Sequence, residues 1–406
     1  MLLTSALLGC VSMKQHRSAD TAPFDHETIS VDGRSADLFF VEMDDQGWLH
    51  DRGQLERAYE HIVELGDTCA EPPPLIIAYA HGWSYSAREG DGNVAEMKES
   101  LAYLMTQTVE RPRPIVGVYI GWRGKSWHSP FHVLSFWGRK EAAHRIGESG
   151  ASSIINTLEL AKRELIARRG TCDGTDPMLV VAGHSFGGAM IYSAYAQLLG
   201  ERMRRLSVMD DSDAREEYMR SYTNLVVLFN PAFEAARFEH LTNIPADCEG
   251  KPCARMLMTV TSETDNATRK AFPFGRRFGT LWQSGSYRAG DSPPQGKANR
   301  TALGHFTPWI THELSLDETT EPEPGCASYR PELAPPLTPL PTVRFCGYEL
   351  KTLEESIGVA NPRLLNVRAV RQVLNKHGLA QNRDTLVRFG WDFIAHELVE
   401  HQKNQQ

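Results

Sequence analysis

The sequence predicts an α/β protein with a mostly parallel central sheet flanked by helices. Short, almost continuous apolar runs alternate with longer stretches in which apolar residues recur every three or four positions. The short runs are typical of parallel strands buried on both faces, and the longer stretches of the helices that cover them. The predicted strands are residues 38–42, 75–80, 115–120, 178–182, 225–229 and 256–261, and the predicted helices are 54–65, 152–169 and 189–199.

The chain is predicted to have one α/β core with added segments. The predicted segments are an N-terminus and tether at 1–28, the α/β core at 29–314, a Pro-rich linker at 315–341, and a helical extension at 342–406. Two stretches inside the core, 125–150 and 265–300, interrupt the alternation of strands and helices. Both are predicted to be insertions at strand ends.

Composition favours a folded protein and argues against a nucleic-acid partner. The chain has 406 residues, of which 41% are hydrophobic and 23% charged, as is ordinary for globular proteins. Its net charge is -8, and its Lys and Arg residues are scattered rather than gathered into a stripe that tracks phosphates. No run approaches the roughly 20 apolar residues that a transmembrane helix needs.

The N-terminus contains a lipobox-like stretch. Residues 1–10 read MLLTSALLGC, which resembles the site where bacterial lipoproteins are cleaved and acylated on the cysteine. The resemblance implies that acylated Cys10 anchors the protein to a membrane, on the periplasmic side of the cell envelope. The alternative is an apolar N-terminus with a free cysteine, because the run is short and no basic residue precedes it.

Six cysteines remain after Cys10, an even number that suits three disulfides in an oxidising compartment. Spacing within the chain and the expected neighbouring strands indicate which cysteines pair. The predicted pairs are Cys69 with Cys172, Cys248 with Cys253, and Cys326 with Cys346.

The strongest motif surrounds Ser185. Residues 183–187 read Gly-His-Ser-Phe-Gly, which matches Gly-x-Ser-x-Gly between a buried strand and a helix start rich in small residues. A serine on such a sharp turn is lifted above the sheet, and the glycines leave room for the neighbouring strand and helix. The amides at the helix start then stabilise an oxyanion. The motif predicts Ser185 as a nucleophile, the alternative being an ordinary glycine-rich turn.

A second strand end supplies the other half of an oxyanion hole. Residues 76–83 form a strand pattern that ends in His81-Gly82-Trp83, which resembles the lipase and esterase pattern. In that pattern the small glycine lets the backbone approach the substrate, so the N–H of Trp83 is expected to join that of Phe186. His81 itself is predicted to be structural.

Together these motifs resemble the α/β-hydrolase superfamily, in its lipase and esterase branch, over residues 37–314. The resemblance implies a mostly parallel sheet and a catalytic triad in the chain order Ser, acid, His. It implies no cofactor.

The acid is expected at the end of a strand that follows the nucleophile strand. Residues 256–261 form such a strand and are followed by Ser-Glu-Thr-Asp265. Asp265 is the predicted acid, which holds the imidazole in the right tautomer and stabilises the imidazolium. Glu263 and Glu234 are the alternatives. Asp265 is also suited to be a helix N-cap, and the two roles are compatible.

Two histidines follow the acid closely enough to be the general base. His305 follows Gly304 in a loop after the presumed last strand, and His312 lies next to Thr311. A loop histidine is free to move between the acid and the nucleophile, which favours His305 slightly. The sequence leaves both candidates open.

No metal site is predicted. His396 and His401 are five residues apart rather than the four that a zinc-binding helix needs. His128, His132 and His144 lack a cysteine or paired carboxylates at ligand spacing.

The sequence therefore predicts a serine hydrolase that cleaves a carboxylic ester or a related acyl compound, on a small-molecule or lipid substrate. The Trp- and Phe-rich stretch 125–150 is expected to border the site and to favour an apolar acyl group. The alternatives are an inactive envelope protein that uses the fold for binding, and an amide or thioester hydrolase.

Overall fold

The chain consists of two compact units. In this computed structural model the described residues are 14–66, 69, 71–107, 113–126, 135–170, 176–245, 254–279, 295–317, 342–345, 347–353, 359, 361–374 and 377. Unit 1 comprises Met1–Tyr195 and Ser221–Thr223, and unit 2 comprises Ala196–Arg220 and Asn224–Gln406.

Unit 1 contains five strands in the order β1-β2-β4-β3-β5, all parallel except the edge strand β1. The strands are β1 (His26–Val31), β2 (Arg34–Glu42), β3 (Leu75–Ala80), β4 (Ile115–Gly121) and β5 (Met178–His184). The helices are α1 (Arg52–Leu65), α2 (Gly92–Gln107), α3 (Phe136–Ile146), α4 (Ser152–Arg168) and the start of α5 (Phe186–Ser207). A π-helical turn, Gly147–Ala151, joins α3 to α4.

The three inner strands of unit 1 show why the apolar runs form a parallel sheet. Every residue of β3, β4 and β5 is buried, with no alternation between an apolar and a polar face. Such strands need cover on both faces, which helices provide. Their carboxyl ends lie at one edge of the sheet, where the segments after β3 and β5 begin.

Unit 2 contains six strands in the order β6-β7-β11-β8-β10-β9. The strands are β6 (Leu225–Phe229), β7 (Leu257–Ser262), β8 (His312–Leu316), β9 (Thr342–Phe345), β10 (Tyr348–Thr352) and β11 (Leu364–Ala369). The first four in this order are parallel, and β10 is antiparallel to both β8 and β9. The helices that follow α5 are α6 (Ser212–Arg220), α7 (Glu239–Thr242), α8 (Phe272–Gly279) and α9 (Gln295–Ala298).

Short helical turns complete unit 2. They are the 3-10 turns Ala235–Phe238, Leu303–His305 and Thr307–Trp309, and the π-helical turn Ala267–Ala271.

The predicted α/β class is confirmed, and the strands are mostly parallel as predicted, with antiparallel pairings at β1 and β10. The predicted bounds of β3 and β6 agree with the structure, and those of β4, β5 and β7 differ from it by one or two residues at an end. Strand β1 and helices α2 and α3 were not predicted, because their apolar residues form neither continuous runs nor a long periodic stretch.

In the predicted C-terminal extension, the described residues 342–345, 347–353, 359 and 361–369 contain strands rather than helices. These residues form β9, β10 and β11, and β11 lies between β7 and β8 with nearly every side chain buried. A six-residue run with Leu364, Leu365 and Val367 is too short for a helix and has the length of a buried parallel strand. Residues 378–406 lie outside the described part of the chain.

The predicted tether is folded onto unit 1 over residues 14–28. The backbone amides of His16 and Arg17 donate hydrogen bonds to the Glu42 carboxylate over 2.8–3.0 Å. The buried Arg17 guanidinium lies 3.9 Å from the centre of the Phe40 ring, and its Nε donates to the carbonyl of Ala87. This polar segment packs against the core because the Arg17 guanidinium forms an ion pair with Glu27 and stacks on the Phe40 ring.

The predicted lipid anchor and the predicted cysteine pairs depend mainly on residues outside the described part of the chain. Cys10 lies there, and so do all the cysteines of the predicted pairs except Cys69, which is disulfide-bonded. The lipid anchor and the three pairings therefore stay predictions. Among the described residues, no helix is both long and apolar enough to cross a bilayer.

Candidate active site

Ser185 lies on the turn between β5 and α5 in a strained backbone conformation. Its φ angle is 55°, in the left-handed region that residues with a side chain rarely adopt. Such a conformation persists only where the surrounding structure enforces it, and it is concentrated at functional sites. The motif prediction for Ser185 thus coincides with one of four residues other than glycine that have a positive φ in the described part of the chain.

Two glycines make this turn possible. A Cβ atom on Gly187 would lie 2.1 Å from the carbonyl oxygen of Ala80 and 2.5 Å from that of His81. A Cβ atom on Gly183 would lie 2.7 Å from the carbonyl oxygen of Gly187. These contacts are with backbone atoms, which cannot rotate away, so both positions exclude any side chain.

The segment after β3 packs directly against the turn at Ser185. A Cβ atom on Gly82 would lie 3.2 Å from the Cβ of Ser185 and 2.8 Å from Nδ1 of His184. Gly82 therefore brings the backbone of this segment as close to Ser185 as a main chain can come. This is the approach that the oxyanion-hole interpretation of Trp83 requires.

His81 holds this segment in place, as the sequence predicted for a structural histidine. Its Nδ1 donates to the carbonyl of Gly82 over 2.9 Å, and its Nε2 accepts the backbone N–H of Trp122 over 3.1 Å. The Trp122 indole N–H donates in turn to the His81 carbonyl, and the two rings stack. Burial lowers the pKa of His81 to about 4, so the ring is neutral and accepts as well as donates at neutral pH.

Phe186, the other predicted oxyanion-hole residue, lies at a helix start. It is the first residue of α5, and the first amides of a helix have no partner inside that helix. The helix dipole adds positive potential at the same point. The matching role of the Trp83 amide stays a prediction.

Helix α3 places an aromatic wall against both predicted oxyanion-hole residues. The Phe136 ring lies 5.3 Å from the Trp83 ring and 4.7 Å from the Phe186 ring, measured between centroids. Trp137 packs edge-on against Phe136 at 5.2 Å. Phe136 and Trp83 are only partly buried. The part of the aromatic stretch at 135–150 thus borders the turn around Ser185, as expected.

In unit 2, Asp265 is completely buried and accepts four hydrogen bonds. Its Oδ1 accepts the backbone amides of Ala267 and Thr268 over 2.9 and 3.3 Å. Its Oδ2 accepts the Thr268 hydroxyl and Nδ1 of His377, the latter over 2.8 Å. Burial acts to raise the pKa of Asp265, but the hydrogen bonds from His377 and Thr268 outweigh it and hold the pKa below its ordinary value. Asp265 caps the following turn and also binds an imidazole.

The imidazole on Asp265 belongs to His377, which the sequence analysis missed. His377 follows β11 by eight residues and is partly exposed. The Asn230 side-chain amide donates to the His377 carbonyl over 2.9 Å, and the Ser262 hydroxyl donates to the carbonyl of Leu374 over 2.6 Å. Asn230, which follows β6, and Ser262, the last residue of β7, thus hold the backbone at His377 and Leu374. Because these parallel strands are adjacent, their carboxyl ends meet at one edge.

His305 is one hydrogen bond further from the acid. Its Nε2 lies 2.9 Å from the Thr268 hydroxyl, which separates the ring from the Asp265 carboxylate. Burial lowers the pKa of His305 to about 4, and the nearby Asp265 opposes this shift. His305 belongs to the same cluster as Asp265 without bonding to it directly.

His312 is held elsewhere in unit 2. It opens β8, and its two ring nitrogens lie 2.8 Å from the Thr311 hydroxyl and 3.3 Å from the Thr352 hydroxyl. Burial and the nearby Arg255 lower its pKa to about 4. Both of its ring nitrogens are used by these threonines rather than by Asp265.

The alternative acids have other partners. Glu263 accepts the backbone amide of Arg371 over 2.8 Å. Glu234 forms ion pairs with Arg237 and Arg276 over 3.3 and 2.9 Å. Among the described residues, the Glu263 carboxylate has no hydrogen bond to a histidine.

The histidines considered for a metal site are mostly outside the described residues. His144, the exception, is buried between the Ser193 hydroxyl at 2.6 Å and the Lys140 ammonium at 3.3 Å. Within the described part of the chain, no group of three or more His, Cys, Asp or Glu side chains is arranged to hold a metal ion.

Comparison with known proteins assigns no family to the chain. No protein-family model matches it, and no curated protein does. Among solved structures, esterase 2 of Thermogutta terrifontis, phosphorylated by paraoxon, is 16% identical with a TM-score of 0.25 and covers 49% of this chain. An uncharacterized protein from Pseudomonas aeruginosa is 11% identical, also with a TM-score of 0.25, and covers 56%. The chain spans 63% of the esterase and 42% of the Pseudomonas protein.

Replacing Gly187 with Ala is expected to destabilise the protein by more than about 3 kcal/mol, because the new methyl group collides with backbone carbonyls. Gly138 on α3 has no atom within 4 Å of its Cβ position and is a matched control. Gly138→Ala is expected to stabilise by about 0.5 kcal/mol through helix propensity. Urea denaturation checks both, and equal stability of the two variants would contradict the packing seen at the turn.

Proposed function

We propose that the protein is a serine hydrolase with Ser185 as its nucleophile. The observation that carries the proposal is the left-handed φ of 55° at Ser185, on a turn that admits no side chain at Gly183 or Gly187. This strand-turn-helix arrangement lifts a serine hydroxyl from the sheet and directs helix amides at the atom it attacks. An ordinary glycine-rich turn has no need to force a serine into this conformation.

The proposed base is His377, with Asp265 as its acid. Only this histidine, among those of the described residues, donates a ring N–H to Asp265. A buried carboxylate on Nδ1 fixes the tautomer in which Nε2 carries the lone pair of a base, and it stabilises the imidazolium that forms. His377 is partly exposed, as a residue that handles a substrate proton must be.

The proposed reaction is acyl transfer in two stages. The Ser185 hydroxyl attacks the acyl carbonyl while His377 takes its proton, and the amides of Phe186 and Trp83 bind the oxyanion. The protonated His377 then gives its proton to the leaving alcohol, and the acyl enzyme forms. Water then attacks the acyl enzyme while His377 takes its proton. The C–O bond to Ser185 breaks, His377 returns the proton to the Ser185 oxygen, and the carboxylic acid leaves. The mechanism requires Nε2 of His377 to reach the Ser185 hydroxyl.

The proposed substrate has an apolar acyl group. Phe136, Trp83 and Trp137 are partly exposed aromatic side chains beside the nucleophile turn. Such a wall binds apolar groups by excluding water and contributes little to a charged one.

A fluorophosphonate probe is expected to label the native protein, and Ser185→Ala is expected to abolish the labelling, because the probe reacts only with an activated serine. Ser153→Ala, which removes an exposed hydroxyl on α4, is the control and keeps full labelling. Mass spectrometry of the labelled peptide locates the adduct. A folded protein that does not react at all would contradict the hydrolase proposal and favour the binding protein.

His377→Gln is expected to lower kcat by about 10⁶ fold, as loss of the base does in a serine hydrolase, with KM little changed. His312→Gln is the control, because its ring bonds only to threonine hydroxyls, and is expected to keep kcat within about threefold. Hydrolysis of p-nitrophenyl esters by the folded variants measures both. Activity that survives in His377→Gln but is lost in His312→Gln would reverse the assignment.

Phe136→Ala is expected to lower kcat/KM for long acyl chains about tenfold and to leave acetate esters nearly unchanged, because about 1.4 kcal/mol of apolar contact is lost. A series of p-nitrophenyl esters of increasing acyl length measures the change. Leu160→Ala, which truncates an exposed leucine on α4, is the control. An equal loss for short and long chains would show that Phe136 only supports the turn.

A further inference from the structure

A chain of three side chains leads to the base through the acid. His305 Nε2 lies 2.9 Å from the Thr268 hydroxyl, the hydroxyl bonds to Oδ2 of Asp265, and His377 Nδ1 lies 2.8 Å from the same oxygen. Thr268 and Asp265 are buried. The triad needs only the last of these contacts, so the other two have no role in the reaction as proposed.

The direction of each hydrogen bond follows from the acid. Asp265 is ionised at neutral pH and only accepts, so the Thr268 hydroxyl must donate to it. The hydroxyl oxygen can then only accept from His305, which requires a proton on Nε2. A neutral His305 ring meets this requirement in a single tautomer. The chain is therefore polarised from His305 toward Asp265, and bonds in such a chain strengthen one another.

We propose that Thr268 and His305 are positioning residues that set the basicity of His377 through Asp265. This inference rests on the proposed function, in which His377 is the base. Thr268 and His305 contact neither the reacting serine nor the substrate in this scheme.

The physical basis is competition for one carboxylate oxygen. The Thr268 hydroxyl and the His377 N–H both donate to Oδ2, while two backbone amides fix Oδ1. Each further donor spreads the negative charge of the carboxylate, which weakens its attraction for a positive imidazolium. The Thr268 hydroxyl therefore weakens the attraction of Asp265 for a positive His377 ring, and removal of the hydroxyl is expected to strengthen that attraction.

Other charged side chains act on this cluster, and a substitution at Thr268 does not change them. Arg269 follows Asp265 on the π-helical turn, and Arg368 on β11 forms an ion pair with Glu313 over 2.6 Å. Both arginines, with His377, act electrostatically on His305. A substitution at Thr268 removes a hydroxyl and leaves all of these charges unchanged.

The test compares Thr268→Val with Thr268→Ser. Valine keeps the shape and removes the donor, so the acidic limb of kcat/KM is expected to move up by about half to one pH unit. Serine restores the hydroxyl and is expected to restore the wild-type profile. NMR titration of the His377 ring gives the same shift without any turnover. A Val variant that is folded and slower, with an unmoved limb and ring pKa, would overturn the proposal.

A second pair of variants tests His305. Leucine removes the N–H donor, and the acidic limb is expected to move in the same direction by a smaller amount. Glutamine keeps a donor near the position of Nε2 and is expected to behave like the native protein. Loss of all activity in His305→Gln would make His305 the base and overturn the proposal. Failure of the proposed function is distinguishable, because it appears as absent labelling of Ser185, whereas the His377 titration is independent of labelling.

Discussion

The close packing of main chain against main chain around Ser185 is the constraint on which the candidate site depends. The left-handed turn is possible because Gly183 and Gly187 have no side chain, and the carbonyl of Ala80 fills the space where one would be. The segment after β3 then comes within van der Waals distance of the serine through Gly82. His81, buried and neutral, keeps that segment from moving by bonding to the end of β4. The edge of the sheet, the turn at Ser185 and the segment of the proposed oxyanion hole are thus packed against one another.

The parts of this site that are local in sequence were predictable. A six-residue apolar run such as β3 or a five-residue run such as β6 forms a strand wherever a sheet covers it on both faces, so its bounds follow from the residues alone. The turn at Ser185 was predictable because its motif consists of the five consecutive residues 183–187. Asp265 was predictable because it follows the end of a recognisable strand by three residues.

His377 was not predictable because its position depends on a distant pairing. Strand β11 enters the sheet between β7 and β8, about a hundred residues after β7, and only that pairing brings the loop after it to Asp265. The run is also disguised by Asn366, a polar residue at its centre. Its buried amide bonds to the Thr259 hydroxyl and to the carbonyl of Trp309, partners that no local pattern reveals. Strand β8, which follows His305 and precedes β11 in the chain, was also not predicted, because its pairing with β11 is not visible from the local sequence.

The two histidines near Asp265 differ in how they are connected to its carboxylate. His377 bonds to it directly, whereas His305 bonds to it through the Thr268 hydroxyl. An imidazole that donates directly to a carboxylate gains stability when it becomes positive, because opposite charges are in contact. His305 is separated from the carboxylate by a hydroxyl whose only proton already points at Asp265. Its second nitrogen is therefore stabilised as a base only through an intervening dipole, and burial opposes its protonation. The proposed mechanism therefore gives the basic role to His377, and it leaves His305 the role of a neutral donor.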